Sequence, residues 1–333
     1  FGIEEASNAT ASGPAVQTSF GIVASIQIVQ RRDAGGHMSL SAPMDLFGLT
    51  LFTQGPSWRA WRVDDEPLAA YEPGCRHGPF AGGLSGLNLS DAGEPAVTAP
   101  MFLIRDMNFI SDQINGTGRW HDCRTLVMAW RERRPPPNSP MIEVGGNIGA
   151  CSLELLLRTD ARLIIFEPSP KNLYYLTRTL QAVHQHQPTL GVASRVVIFP
   201  IGLGNKTSTS EMYVDIHNSG DSMVVGKGEA RASSTASSRH KFRLQGTVRI
   251  VPLMKMDVQG YECRALQGMQ RLLSSRSVSA IVTEVSLPHL KRAQCSKAGL
   301  LGSLHDSGYR VDHPDGGRGA WSWDVLAVLQ TGR

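Results

Sequence analysis

The sequence predicts an α/β fold built on a doubly wound, mostly parallel sheet, and three observations carry that expectation. Apolar strand-like runs alternate with amphipathic helical stretches from residue 141 onward. The first run, Met141-Ile142-Glu143-Val144, opens into the glycine-rich turn Gly145-Gly146-Asn147-Ile148-Gly149. Carboxylates then close later runs, Glu167 after Phe166 and Asp257 after Met256.

Residues 1–100 are rich in Gly, Pro, Ala and Ser, and Pro67, Pro73, Pro79 and Pro95 punctuate them. They read as an irregular or short-stranded N-terminal extension of unknown function, so the chain divides at about residue 100. From 101 the texture changes, with a helix-like stretch through Trp130 ended by Pro135-Pro136-Pro137, which cannot continue a helix. Strand 141–145 should precede a helix at 148–158, and strand 162–166 a helix at 171–183. Strands at 194–199 and 208–215 follow. A polar stretch at 216–246, with the Ser/Ala-rich centre Arg231–Ser238, reads as a mobile loop, either a substrate lid or an insertion. Strand 247–252 runs directly into 253–257; helix 261–273, strand 278–285, helix 296–307 and strands 309–313 and 323–329 complete the series.

Composition narrows the class. The 333 residues are 41% apolar and 19% charged, an ordinary globular balance. Lys plus Arg less Asp plus Glu is 33 − 29 = +4, too small a surplus to argue for nucleic acid. No apolar run approaches the roughly 20 residues that span a bilayer. Five cysteines without a C-x-x-C pair argue against zinc and, being odd in number, give no complete disulfide framework; no metal is expected. Four N-x-[ST] sequons, at Asn8, Asn88, Asn115 and Asn205, fit a secretory lumen or chance. Localisation otherwise reads as cytoplasmic, and because the chain starts at Phe1 a leader or anchor could have preceded it.

The glycine turn sits where a parallel sheet binds ligands. A dinucleotide fingerprint would need glycines two and five positions after Gly145, but those positions hold Asn147 and Ala150. A nicotinamide-dependent dehydrogenase is thereby disfavoured. The pattern acidic-x-Gly-x-Asn-x-Gly instead resembles the first motif of S-adenosylmethionine-dependent methyltransferases. A carboxylate at Glu143 suits a ligand carrying an ammonium and a sulfonium, and Glu167 at the second strand end can accept hydrogen bonds from a ribose diol. On this reading Gly145→Val abolishes cofactor binding by filling the space of the methionine moiety.

The succession E-V-G-G-N-I-G, I-I-F-E-P-S-P-K-N, I-G-L-G-N, M-K-M-D-V-Q-G-Y-E and I-V-T-E resembles the FkbM family of S-adenosylmethionine-dependent methyltransferases over roughly residues 101–333. The resemblance implies a class I (Rossmann-like) methyltransferase fold, S-adenosyl-L-methionine as cofactor, and methyl transfer to oxygen. It assigns Glu143, Gly145, Gly146, Asn147, Gly149, Glu167, Pro168 and Gly202 to the cofactor. Lys255, Asp257, Gly260 and Glu262 match a K-x-D-x-E-G-x-E pattern, and Glu284 ends a later strand. The sequence departs from the family in two places. Gln259 stands where the family usually has glutamate, and the junction at 247–257 lacks the segment usually found between two strands. Either the two segments form one continuous strand or a piece is missing.

An alcohol acceptor benefits from a general base, and Asp257 is the first candidate, with Lys255 beside it in the catalytic set. His217, His289 and Asp221 are secondary. The acceptor implied is a hydroxyl on a small molecule, glycan or lipid. The alternative is a catalytically impaired, truncated or mis-spliced protein that binds through the same fold.

Overall fold

The computed structural model describes residues 20–29, 44–46, 49–52, 60–66, 68, 82–91, 93–104, 108–205, 208–213, 223–225, 241–245, 251–313, 315 and 320–330. Its central element is a seven-stranded sheet. The strands are β1 (Pro140–Val144), β2 (Arg162–Phe166), β3 (Val196–Phe199), β4 (Leu253–Met256), β5 (Ala280–Ser286), β6 (Tyr309–Asp312) and β7 (Ser322–Leu329). They lie in the order β6-β7-β5-β4-β1-β2-β3. Pairing is parallel from β3 to β5, and β7 is antiparallel to both β5 and β6. This is the mostly parallel sheet expected of a class I methyltransferase fold.

The inner strands are mostly apolar because both faces of the sheet are covered, Glu143 on β1 and Lys255 on β4 being exceptions. Met141, Leu163 and Ile165 pack with Leu126, Trp130, Leu153 and Leu176 on one side. Ile142, Val144, Ile164 and Phe166 pack with Leu266, Leu272 and Leu300 on the other. The covering helices are α1 (Ala150–Arg158), α2 (Pro170–His186), α3 (Glu262–Gly268), α4 (Gln270–Ser274), α5 (Leu287–Arg292) and α6 (Lys297–Asp306). α2 starts as its sequence dictates: the Ser169 side chain caps the Asn172 amide and Pro170 occupies the first turn.

Before β1, a hairpin of strands Gly82–Leu89 and Val97–Ile104 is followed by helices Phe109–Thr117 and His121–Glu132. The second of these ends just before the triple proline. A further sheet joins Phe20–Val29 to Ser208–Tyr213, Lys241–Gln245 and Gly202–Leu203. Met223–Val225 pairs with Ser208–Tyr213 at its edge. Residues 223–225 and 241–245 are therefore strands, where the polar composition of 216–246 suggested a loop; the Arg231–Ser238 centre lies outside the described residues.

Three further expectations are corrected. The helix expected over 261–273 is interrupted at Met269. Gly268 closes its first half, where a Cβ would lie 2.2 Å from the Gly204 carbonyl oxygen, so the helix end presses on the preceding chain. α5 was not anticipated, because Pro288 reads as a breaker although it is tolerated in a first turn. Four cysteines pair, Cys123 with Cys151 and Cys263 with Cys295, at Cα separations of 4.7 and 6.0 Å. Separations of 28 and 32 residues hid that proximity in the sequence; Cys75 lies outside the described residues.

At the compressed junction, Val251 bridges Val278 and Met254 pairs with Ile281, the same register on β5. Residues 251–256 thus keep one register beside 278–283, whereas residues 247–250, on which the choice between one continuous strand and a missing piece turns, lie outside the described residues.

Candidate active site

Strand order reverses between β1 and β4, so the loops that leave these two strands diverge and open a crevice at the carboxyl end of the sheet. The cleft there encloses about 590 Å³ counting its open mouth. Its polar lining comes from Asn147, Glu167, Asn172, Asp257 and Gln259, and its apolar lining includes Phe166, Ile201, Leu203 and Val258. The Phe166 ring stacks on Phe199 at 5.1 Å between centroids, which fixes that wall. Among the described residues no Lys, Arg or His lines the cleft. Its charged side chains are two carboxylates.

Each of the two loops is held by a buried glutamate. Glu167 accepts hydrogen bonds from the Asn147 amide on Oε2 (2.7 Å) and from the Ser169 amide on Oε1 (2.8 Å). It thereby ties the glycine turn after β1 to the turn after β2. Burial pushes its carboxyl up to about 7, against the lowering effect of those amide bonds. Glu262 does the same for the loop after β4, with one oxygen, Oε1, accepting from the Val258 amide (3.1 Å) and the Gly260 amide (3.2 Å). Burial raises it to about 7 as well.

Beneath the turns lies a charged node. Glu143, 1% exposed, accepts a hydrogen bond from Ser152 Oγ and stands 3.8 Å from Lys255 Nζ. Lys255 Nζ also lies 3.3 Å from Asp257 Oδ2. Burial acts to lower the Lys255 pKa, but the charges of Asp257 and Glu143 outweigh it and raise the ammonium well above its ordinary value. Burial raises Glu143 too, opposed by Lys255 and the Ser152 hydroxyl. On the rim, Gln259 Nε2 donates to Asp257 Oδ1 at 2.8 Å, and Asp257 keeps one third of its side chain exposed.

The residues singled out from sequence divide into two groups. Gly145, Asn147, Glu167, Pro168, Gly202 and Asp257 line the cleft. Glu143, Gly146, Gly149 and Lys255 lie behind it. The three glycines are demanded by the protein's own packing: a Cβ would lie 1.9 Å from the Asp257 carbonyl oxygen at Gly145, 2.4 Å from Ile165 Cγ2 at Gly146 and 2.4 Å from Leu176 Cδ1 at Gly149. The expectation that Gly145→Val would fill cofactor space is corrected accordingly, since its first collision is with the chain after β4.

His289 packs its backbone against the site loop, where a Cβ on Gly260 would lie 2.3 Å from its carbonyl oxygen. His217 and Asp221 lie outside the described residues. Sequence reasoning missed Asn172 and Tyr261 in the cleft and Ser152 beneath it. Asn172 stands within the P-S-P-K-N motif, five residues after Glu167, and its Oδ1 is buried without a partner. Among the described residues no group of three or more His, Cys, Asp or Glu side chains has metal-holding geometry, and no helix is long and apolar enough to cross a membrane.

The family profile of the methyltransferase FkbM domain matches residues 143–311. Among solved structures, the chain is similar to magnesium protoporphyrin IX methyltransferase from Synechocystis with bound SAM, at 14% identity over 67% of this chain and 85% of that one, TM-score 0.37. A SAM-dependent O-methyltransferase from Thermotoga maritima is similar at 11% identity over 74% and 94% of the two chains, TM-score 0.35. The small RNA methyltransferase HEN1 is similar at 12% identity over 64% and 25%, TM-score 0.35. No curated protein matches the chain.

Proposed function

This chain belongs to the FkbM methyltransferase family, and on that premise we propose that it transfers a methyl group from S-adenosyl-L-methionine to a hydroxyl of a small molecule, glycan or lipid. The observation that carries the cofactor is the lining of the cleft, rich in acceptors and carboxylates and, among the described residues, without a cation. An anionic pyrophosphate would be repelled there. A ligand with an ammonium, a sulfonium and a ribose diol finds acceptors in Glu167, Asp257, the Oδ1 of Asn172 and the Oε1 of Gln259, the last two buried without partners. The residues present therefore fit the cofactor.

When bound, S-adenosylmethionine supplies an electrophilic methyl group. The chain's own residues then hold and orient. Glu167 would accept from the ribose hydroxyls while its amide bonds keep it in place, and Phe166, Ile201 and Leu203 would shield an apolar flank from water. Asp257, at the carboxyl end of β4, is the group that takes the acceptor's proton. Lys255 and Gln259 each engage one of its oxygens and leave a lone pair on each for the incoming hydroxyl. Lys255 acts through Asp257, as a positioning residue locked from below by Glu143.

A second reading, a binding protein that retains the fold without catalysis, rests on Gln259, where an amide stands in place of a carboxylate and donates to Asp257. Labelled methyl transfer from S-adenosylmethionine into an extract of the source organism separates the two. The first reading expects a labelled acceptor, with labelling lost in Asp257→Ala beyond any accompanying drop in cofactor-analogue affinity. Analogue binding without any labelled product supports the second.

A further inference from the structure

Two disulfides fasten the walls of the cleft. Cys123, in helix His121–Glu132, is bonded to Cys151, the second residue of α1 and two residues past Gly149. Cys263, two residues past Tyr261, is bonded to Cys295, which precedes α6. Each bridge thus lands within two residues of a site loop, the first tying it to helix His121–Glu132 and the second to the turn between α5 and α6. The four sulfurs form two separate pairs, and no metal-holding cluster includes them among the described residues. Cys123 and Cys151 are buried and Cys263 and Cys295 half-buried, and structural bridges of this kind form and persist in oxidising compartments and are rare where glutathione keeps thiols reduced.

Two sequons stand on the surface in a way that suits the same compartment. In Asn88-Leu89-Ser90, the strand alternation buries Leu87 and Leu89 and exposes Asn88 and Ser90. In Asn115-Gly116-Thr117, helix Phe109–Thr117 buries Ser111 and Ile114 and turns Asn115 and Thr117 outward. The Asn88 amide donates to the Gly118 carbonyl oxygen at 2.8 Å, so the two sites occupy adjoining elements, and neither asparagine lines the cleft. The Asn205 side-chain amide donates to Gln267 at 2.7 Å, and Asn205 lies two residues from the cleft residue Leu203.

We infer that this chain matures in an oxidising lumen, where it acquires both disulfides and carries N-linked glycans on Asn88 and Asn115. Each disulfide forms as two thiols give up two protons and two electrons to the disulfide of an oxidoreductase, which leaves as a dithiol. Each glycan attaches as the asparagine Nδ2 bonds to the anomeric carbon of a lipid-linked oligosaccharide, losing one proton and releasing the lipid pyrophosphate. Neither step depends on the methyl-transfer reading, and both are read by mass rather than by activity.

The test uses the full chain isolated from its source without reductant, alkylated, and treated with an amidase that removes N-glycans in heavy-oxygen water. The expected result is cross-linked peptides joining Cys123 to Cys151 and Cys263 to Cys295, with Asn88 and Asn115 converted to labelled aspartate. Asn88→Gln and Asn115→Gln, expressed in that source, should each lose one glycan's shift in gel mobility. Recovery of the four cysteines as alkylated free thiols, or of both asparagines unmodified, overturns the inference.

Discussion

Gly145 and Asp257 meet across the gap between β1 and β4, where a Cβ on the glycine would lie 1.9 Å from the aspartate's carbonyl oxygen. Gly145 also has φ +88°, a conformation that side chains other than glycine rarely adopt. The glycine turn is thereby a packing requirement before it is a binding one. Gly145→Ala is expected to cost about 3 kcal/mol or more, from left-handed strain together with the forced separation of two strand ends. Thermal unfolding checks it; a variant that melts like the wild type yet fails to bind S-adenosylhomocysteine would assign the glycine to the ligand instead.

The two loop-holding glutamates should respond differently to the same substitution. Glu262 takes the Val258 and Gly260 amide bonds on one oxygen, which a glutamine can reproduce. Glu167 uses both oxygens, so a glutamine must turn an amide group toward one of two backbone N–H donors. Glu262→Gln should be close to neutral, whereas Glu167→Gln should lose about 1–3 kcal/mol. Denaturant midpoints compare the two, and equal losses would contradict this account of the loops.

The charged node gives a coupling prediction. Lys255→Met leaves Glu143 buried beside an apolar neighbour and should destabilise by about 3–5 kcal/mol. Adding Glu143→Gln should restore a large part of that loss, because the uncompensated charge is gone. A double-mutant cycle with no coupling would show that the node does not act as a unit.

Stability should also depend on pH in an unusual direction. Burial raises Glu167 and Glu262 to about 7, Glu284 to about 8 and Asp324 to about 6 in the folded chain. The folded state therefore holds more protons than the unfolded state between about pH 4.5 and 8, and stability falls as pH rises through that window. Asp91 and Glu94, lowered by hydrogen bonds to Arg119 and Arg131, contribute the opposite slope only below about pH 4. Cofactor affinity should run the other way, rising through pH 7 as Glu167 becomes a carboxylate able to accept from the ribose. Melting and calorimetric titrations at pH 5.5 and 8 read the two trends; parallel trends would contradict the role of Glu167.

The sequence already contained most of the sheet. The runs at 141–145, 162–166 and 323–329 are strongly apolar and bounded by turns, so their burial was encoded locally, and Glu167 and Asp257 stood at strand ends where a parallel sheet gathers ligands. What stayed hidden depends on contacts distant in the chain. Cys123 and Cys151 meet only because two helices cover one face of the sheet. Glu143 looked like a ligand-facing carboxylate, yet it turns beneath the glycine loop toward Ser152 and Lys255. Asn172 closes the P-S-P-K-N run, but nothing local in that run says which polar residue of the first helical turn faces a ligand, and only the fold brings it to the cleft.

Calorimetric titration of the purified chain with S-adenosylhomocysteine and, separately, with NAD tests most directly the claim that a carboxylate-bearing cleft, with no cation among its described lining residues, selects an S-adenosyl cofactor over a dinucleotide. The account predicts saturable binding of S-adenosylhomocysteine at micromolar concentration, weakened in Glu167→Gln, with no heat from NAD. Tight binding of NAD with none of S-adenosylhomocysteine would contradict it.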